Sequence, residues 1–165
     1  MAHVLAVVAY PALDEQDRRA IEEIRSLRDP QARRIAAHFT LVFPIQAPLE
    51  EVEAEIAAAA AETSPIAFTV RRGEAADGHV FLIADEGRDE IARLHDRLYA
   101  GVLRPHLRTD LPYVPHITVA ANPDAAEHTL TLGVIRGTIT HLDLVDVSPP
   151  RVRTIERYAL SGAKP

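Results

Sequence analysis

A polar–apolar alternation occurs twice in this chain, 78 residues apart: His38-Phe39-Thr40-Leu41 and His116-Ile117-Thr118-Val119. Successive side chains of a strand point to opposite faces. In each copy the imidazole and the hydroxyl therefore share one face, while Phe39, Leu41 and Phe43, or Ile117 and Val119, turn the other way toward a core. Each motif mounts an imidazole beside a hydroxyl on a rigid backbone. Where two such strands lie close together, four polar groups converge on one cleft.

The remaining chain alternates between strand-like and helix-like segments. Residues 3–9 are apolar and β-branched, a buried strand ended by Pro11. Asp14 caps a helix over 15–28 with Ile21, Ile24 and Leu27 on its apolar face. A second strand, 37–43, stops at Pro44, and Pro48 suits the first turn of a helix whose stripe is Val52, Ile56 and Ala59 or Ala60, with Pro65 just beyond. Strands at 66–71 and 79–84 flank a turn-rich stretch from Gly73 to Gly78, a hairpin signal. An amphipathic helix over 88–103 carries Ile91, Leu94, Leu98 and Val102 on one side. Residues 104–113 read as loop, 114–120 as strand, and 124–136 as helix or irregular structure ending at Gly137. Two final strands, 138–147 and 152–160, are joined by Ser148-Pro149-Pro150, and the tail from 161 to 165 is expected to be loose. The order gives an α+β or mixed-sheet α/β chain, organised as one domain over 1–165.

Composition narrows the function. The formal net charge is −6, so the chain as a whole repels a long polyanion, and bulk nucleic-acid binding is not expected. A small phosphate ligand or the end of an RNA remains compatible. With no cysteine, disulfides, thiolate metal sites and cysteine nucleophiles are excluded. The apolar start is short, lacks a basic leader and meets Pro11, Asp14 and Glu15 at once. No apolar run reaches the ~20 residues of a membrane span. The expectation is a soluble, cytoplasmic monomer with no membrane partner.

One His-x-Thr element carries no weight in a chain with 8 histidines, because a lone histidine is more often a satisfied core or surface residue. Two elements in matched strand contexts point to a site. Imidazole titrates near neutrality and can accept or donate a proton, so a pair can divide base and acid work on one substrate. A threonine hydroxyl suits a phosphate oxygen. Cleaving a P–O bond needs a base for the attacking oxygen and an acid for the leaving one, and two histidines flanking a phosphate supply both without a metal. A zinc site made of His38, His116 and a carboxylate is the weaker reading, since the neighbouring threonines favour phosphate.

On these motifs the chain resembles the 2H phosphoesterase superfamily, whose signature is two His-x-Thr/Ser-x elements with apolar x. The stretch Tyr113-Val114-Pro115-His116-Ile117-Thr118-Val119-Ala120 is a close match, including the proline before the histidine; Ala37-His38-Phe39-Thr40-Leu41-Val42-Phe43 matches at its core but lacks that proline. The resemblance implies a bilobal α+β fold, with two pseudo-symmetric lobes of mixed or antiparallel sheet flanked by helices around a central cleft. It implies His38 and His116 as the acid–base pair, Thr40 and Thr118 as phosphate-binding residues, and no metal or other cofactor. The implied activity is hydrolysis of 2′,3′-cyclic phosphates, or cleavage and ligation of 2′,5′ linkages, with a small nucleotide or an RNA terminus as substrate. A non-catalytic module that binds a nucleotide or RNA end in the same cleft is the alternative.

Tyr10 and Tyr113 are candidates to stack on a base. Arg157, Tyr158, Arg71, Arg72, Arg151 and Arg153 lie on or beside strands, where one arginine could reach a phosphate. His95, next to Asp96 and Arg97 in a helix, reads as a surface residue, and His3, His79, His106, His128 and His141 have no motif context.

Overall fold

Among the described residues, each pairing between strands is antiparallel. The computed structural model describes residues 2–74, 78–121 and 132–163. Among these the strands are β1 (Leu5–Ala9), β2 (Ala12–Leu13), β3 (Phe39–Ile45), β4 (Ile66–Glu74), β5 (Val80–Ala84), β6 (His116–Ala120), β7 (Ile135–Ile139), β8 (His141–Asp146) and β9 (Arg153–Ala159). The helices are α1 (Glu15–Arg28), α2 (Leu49–Glu62) and α3 (Arg88–Leu98), with short 3-10 turns at Pro30–Arg33 and Arg104–His106. The nine strands form one sheet in the order β2-β7-β4-β5-β6-β3-β1-β8-β9. The sheet has two halves, β2-β7-β4-β5-β6 and β3-β1-β8-β9, and each contributes one motif strand to the seam between them. This is the expected α+β, two-lobed arrangement, with antiparallel rather than mixed pairing.

Strand β1 shows how alternation sorts the two faces. Leu5, Val7 and Ala9 join the main core, while Ala6 and Val8 join Val145 in a smaller cluster on the opposite face. The main core is covered by α2 and α3, whose Val52, Ile56, Ile91, Leu94 and Leu98 are buried, as the stripes predict. Asp14 caps α1 by accepting a hydrogen bond from the Gln16 amide (2.8 Å). Gly87, with φ +77°, starts α3 at a point where a Cβ would lie 2.4 Å from the Ala67 carbonyl oxygen.

Several expectations need correction. Strand β3 does not stop at Pro44 but runs through it to Ile45. Its pairing with β1 slips between Val7↔Val42 and Leu5↔Ile45, and Pro44 sits exposed in that bulge, where no ladder amide is required. Leu27 is 75% exposed and Val102 50% exposed, so neither belongs to the apolar face assigned to it. In α1 the place is taken by Arg25, which is 1% exposed. His95 is buried, not superficial: its ring stacks on Tyr113 (centroids 3.8 Å apart) because position 95 follows Ile91 by one helical turn.

Helix α3 ends at Leu98, short of residue 103. The strand expected over 138–147 is two strands broken at Thr140, β7 pairing with β4 and β8 with β1. Gly137 lies inside β7 rather than ending a helix; a Cβ there would meet Leu13 and Phe68 at 2.6 and 2.7 Å, so glycine lets β2 and Phe68 close on the strand. Residues 122–131, with His128 and most of the segment read as helix or irregular, lie outside the described residues. The start of the tail is held, Ser161 and Gly162 donating to the carbonyls of Ala60 and Thr63. No described helix is long and apolar enough to cross a membrane.

Candidate active site

The motif strands β3 and β6 are neighbours, and their register sets Phe39 opposite Ile117. Both of these side chains are fully buried. In an antiparallel pair this register puts His38 across from Thr118 and Thr40 across from His116, all four on the face opposite the core. Directly opposed residues stand roughly 5 Å apart between Cβ atoms. The two motifs thus meet head to tail, and each histidine has the other motif's threonine as its cross-strand neighbour.

Both imidazoles are fixed in the same way. His38 Nδ1 lies 2.8 Å from the Ala36 carbonyl oxygen and His116 Nδ1 lies 2.7 Å from that of Val114. A carbonyl only accepts, so each Nδ1 carries hydrogen and donates, which leaves Nε2 of each neutral ring with its lone pair available. In both cases the acceptor is two residues upstream, where the chain bends into the strand. Burial pushes both imidazoles below their ordinary pKa. For His38 the charges of Arg25 and His116 act in the same direction, opposed by the Ala36 carbonyl and Asp29; for His116, His79 adds to burial and the Val114 carbonyl opposes it.

His38, Thr40, His116 and Thr118 all line one cleft of about 600 Å3. The sequence motifs did not reveal its other walls. Phe81 of β5 stands opposite Thr118 and stacks on the His116 ring with centroids 3.8 Å apart. His79, two residues earlier on the same face, stacks on Phe81 at 6.2 Å. The signal for this pair was the alternation His79-Val80-Phe81-Leu82, which repeats the motif pattern without its threonine.

Arg25 is the other wall. Its guanidinium donates to Asp29 (3.1 Å), to both carboxylate oxygens of Glu22 (3.1 Å each) and to the Ile35 carbonyl (3.0 Å). Glu22 in turn accepts from the Ala37 amide (2.7 Å). The Arg25–Glu22 unit therefore grips the segment 35–37, whose Ala36 carbonyl holds His38.

The remaining candidates lie around this centre rather than in it. Tyr10 meets the His38 ring edge-on at 6.3 Å but lines an adjoining cavity. Tyr113 donates from its hydroxyl to the Thr40 carbonyl (2.9 Å), linking the approach to β6 with β3. Arg157 is held by the buried Asp143 (3.1 Å), and Tyr158, opposite Leu142, packs on the main core; neither lines the cleft. Arg71 and Arg153 pair with Asp85 and Asp146. Among the described residues no group of three or more His, Asp or Glu side chains is placed to hold a metal ion.

Residues 12–148 match the model of the 2′-5′ RNA ligase superfamily. A Bacillus pumilus protein named "Putative phosphoesterase" is 32% identical over 146 residues, covering 85% of this chain and 83% of that protein. One from Bacillus licheniformis, also so named, is 25% identical over 146 residues, covering 85% and 84%. Among solved structures, TT0787 of Thermus thermophilus superposes with a TM-score of 0.69 at 22% identity, over 98% of this chain and 100% of that one. Escherichia coli LigT complexed with 3′-AMP superposes with a TM-score of 0.68 at 20% identity, over 98% and 99%; LigT has also been solved with NADP+ and with ATP.

Proposed function

The chain belongs to the 2′-5′ RNA ligase superfamily, and from that premise we propose that it is a metal-independent phosphodiesterase acting on 2′,3′-cyclic or 2′,5′-linked phosphates of small nucleotides or RNA ends. The observation that supports this reading is the matched fixing of His38 and His116, each with Nδ1 donating to a backbone carbonyl and Nε2 left for the shared cleft. One imidazole takes a proton from water as the water oxygen bonds to phosphorus. The other, protonated, delivers its proton to the ribose oxygen as that P–O bond breaks. Thr40 and Thr118 donate to the non-bridging phosphate oxygens. With an RNA 5′-hydroxyl in place of water the same groups keep their roles: the 5′ oxygen bonds to phosphorus as the bond from phosphorus to the 3′ oxygen breaks, leaving a 2′,5′ linkage. The two imidazoles exchange roles only in the reverse, cleaving direction. The small-nucleotide class is supported by the nucleotides bound to LigT, a relative in fold.

The test is turnover of a panel of 2′,3′-cyclic mononucleotides and 2′,5′-linked dinucleotides in EDTA, by the wild type and by His38→Ala and His116→Ala. Turnover indifferent to EDTA, lost by roughly 10²–10⁴-fold in each folded variant, is the expected result. A wild type inert on the whole panel, or alanine variants as active as the wild type, overturns the reading and leaves a binding module in its place.

A further inference from the structure

We propose that Arg33, Arg34 and Arg151 form a second anion subsite on the His38 side of the cleft, which takes a further phosphate group of the same nucleotide substrate. The inference rests on the reading of the cleft as a nucleotide phosphodiester site. A cavity of about 550 Å3 adjoins the cleft, and the two meet at Arg34, Ile35 and Val152, which line both. Tyr10, edge-on to His38, lines this second cavity. A substrate whose reacting phosphate lies between the imidazoles would extend into this second cavity past Tyr10.

The charge there is uncompensated. This chain has more carboxylates than basic groups, 24 against 18, and several of its surface arginines are paired: Arg18 with Glu15, Arg97 with Glu62, Arg108 with Asp110, Arg157 with Asp143. Arg33 and Arg151 are exposed and, among the described residues, their side chains form no hydrogen bond or ion pair. Arg34 bonds only neutral oxygens, the carbonyls of Val147 (2.9 Å), Pro149 (3.4 Å) and Pro150 (3.0 Å) and the Gln31 amide (3.1 Å). That bonding pins its guanidinium in place while leaving its charge whole. Among the described residues Glu22 is the one carboxylate lining the second cavity, and it is committed to Arg25 and the Ala37 amide. Three guanidinium groups gathered without a free carboxylate are a site for phosphate, which they bind through charge-assisted, often bidentate hydrogen bonds.

Calorimetric titration of adenosine 3′-monophosphate and adenosine 3′,5′-bisphosphate into the wild type and an Arg33→Ala/Arg151→Ala variant tests the subsite. The wild type should bind the bisphosphate roughly tenfold or more tightly than the monophosphate, the scale of one charged hydrogen-bonded contact. In the double variant this advantage should fall to about twofold or less, and both side chains are exposed and unpartnered, so a circular-dichroism melt should coincide with that of the wild type. Equal affinity of the wild type for the two nucleotides, absence of binding by both, or an undiminished advantage in the double variant overturns the inference. Turnover of a 2′,3′-cyclic mononucleotide lacking a second phosphate, measured on the same wild-type sample, reports separately on the phosphodiesterase reading.

Discussion

Phe39 and Ile117 stand opposite each other at the seam between the two halves of the sheet, each fully buried. This register makes Thr40 the cross-strand neighbour of His116, and Thr118 that of His38. The closer imidazole–hydroxyl pairs are therefore not the ones adjacent in sequence. Within a strand His38 and Thr40 are separated by roughly 6.7 Å, twice the rise per residue, whereas cross-strand partners are roughly 5 Å apart.

The first prediction follows from this. Thr40→Val and Thr118→Val should each lower kcat/KM on a 2′,3′-cyclic nucleotide by roughly 10–100-fold, the worth of a hydrogen bond to a charged group. In double-mutant cycles Thr40 should couple more strongly to His116 than to His38, and Thr118 more strongly to His38 than to His116. Equal coupling within and across strands would mean that the register does not organise the site.

The second prediction concerns pH. The proposed reaction requires one neutral and one protonated imidazole, and that state is most populated midway between the two macroscopic pKa values of the pair. Burial holds both histidines below the ordinary value near 6.5. The optimum of kcat/KM should therefore fall below about pH 6.5. Stability follows the same shifts: the unfolded chain binds these protons at higher pH than the folded one. The contribution is present above the ordinary imidazole pKa and is lost as pH falls through the lowered folded values. His38→Gln should flatten the dependence of melting temperature on pH between about 7 and 5. A kcat/KM optimum above pH 7 in the wild type contradicts the account.

Arg25 carries the third prediction. Its side chain is 1% exposed and its partner Asp29 2% exposed, so removing the guanidinium strands a buried carboxylate. Arg25→Met should destabilise the fold by about 3–5 kcal/mol in urea denaturation, the range for breaking a buried pair from one side. It also frees the Ile35 carbonyl and loosens Glu22 from the Ala37 amide, on either side of the Ala36 carbonyl that orients His38. At a temperature where the variant is still folded, kcat should fall more than KM rises, because the group lost is a positioning one. Unchanged kcat in the folded variant would leave Arg25 with a purely structural role.

How much of this was legible in the sequence depends on the range of the interactions involved. The motif strands, the Asp14 cap and the stripes of α2 and α3 are local patterns of period two or 3.6, and apart from Val102, which lies past the end of α3, they stand where the periodicity puts them. Phe81 becomes a wall of the cleft only through the pairing of β5 with β6, which no local pattern states. Arg25 reads as a solvated helix residue until Asp29 and the Ile35 carbonyl, brought round by the turn at 30–33, enclose it. The break at Thr140 is likewise set by partners, because β7 continues the ladder of β4 while β8 continues that of β1. Proline misled at position 44 because a bulge, unlike a regular ladder, has no amide for it to lack.

Tyr113 separates positioning from substrate contact. Its hydroxyl donates to the Thr40 carbonyl (2.9 Å) while its ring lies flat on buried His95, so the residue joins α3 and the approach to β6 to the strand carrying the other motif. Burial, with smaller contributions from Tyr99 and Asp96, holds the phenol far above its usual pKa, and the donor stays protonated throughout the working range. Tyr113→Phe keeps the ring and deletes only that donor, leaving a carbonyl unsatisfied in part. The expected result is a loss of about 1 kcal/mol in stability with a severalfold fall in kcat/KM as Thr40 loosens. Tyr113→Ala removes the stacking of this half-buried ring on His95 as well and should cost more, about 2–3 kcal/mol, below the range for an aromatic deleted from a fully closed core. A residue that served the substrate through its ring would give the opposite ordering in kinetics: Tyr113→Phe indistinguishable from wild type, and Tyr113→Ala raising KM for nucleotides without a matching loss of stability. Urea denaturation and steady-state kinetics on the same two variants decide between these patterns.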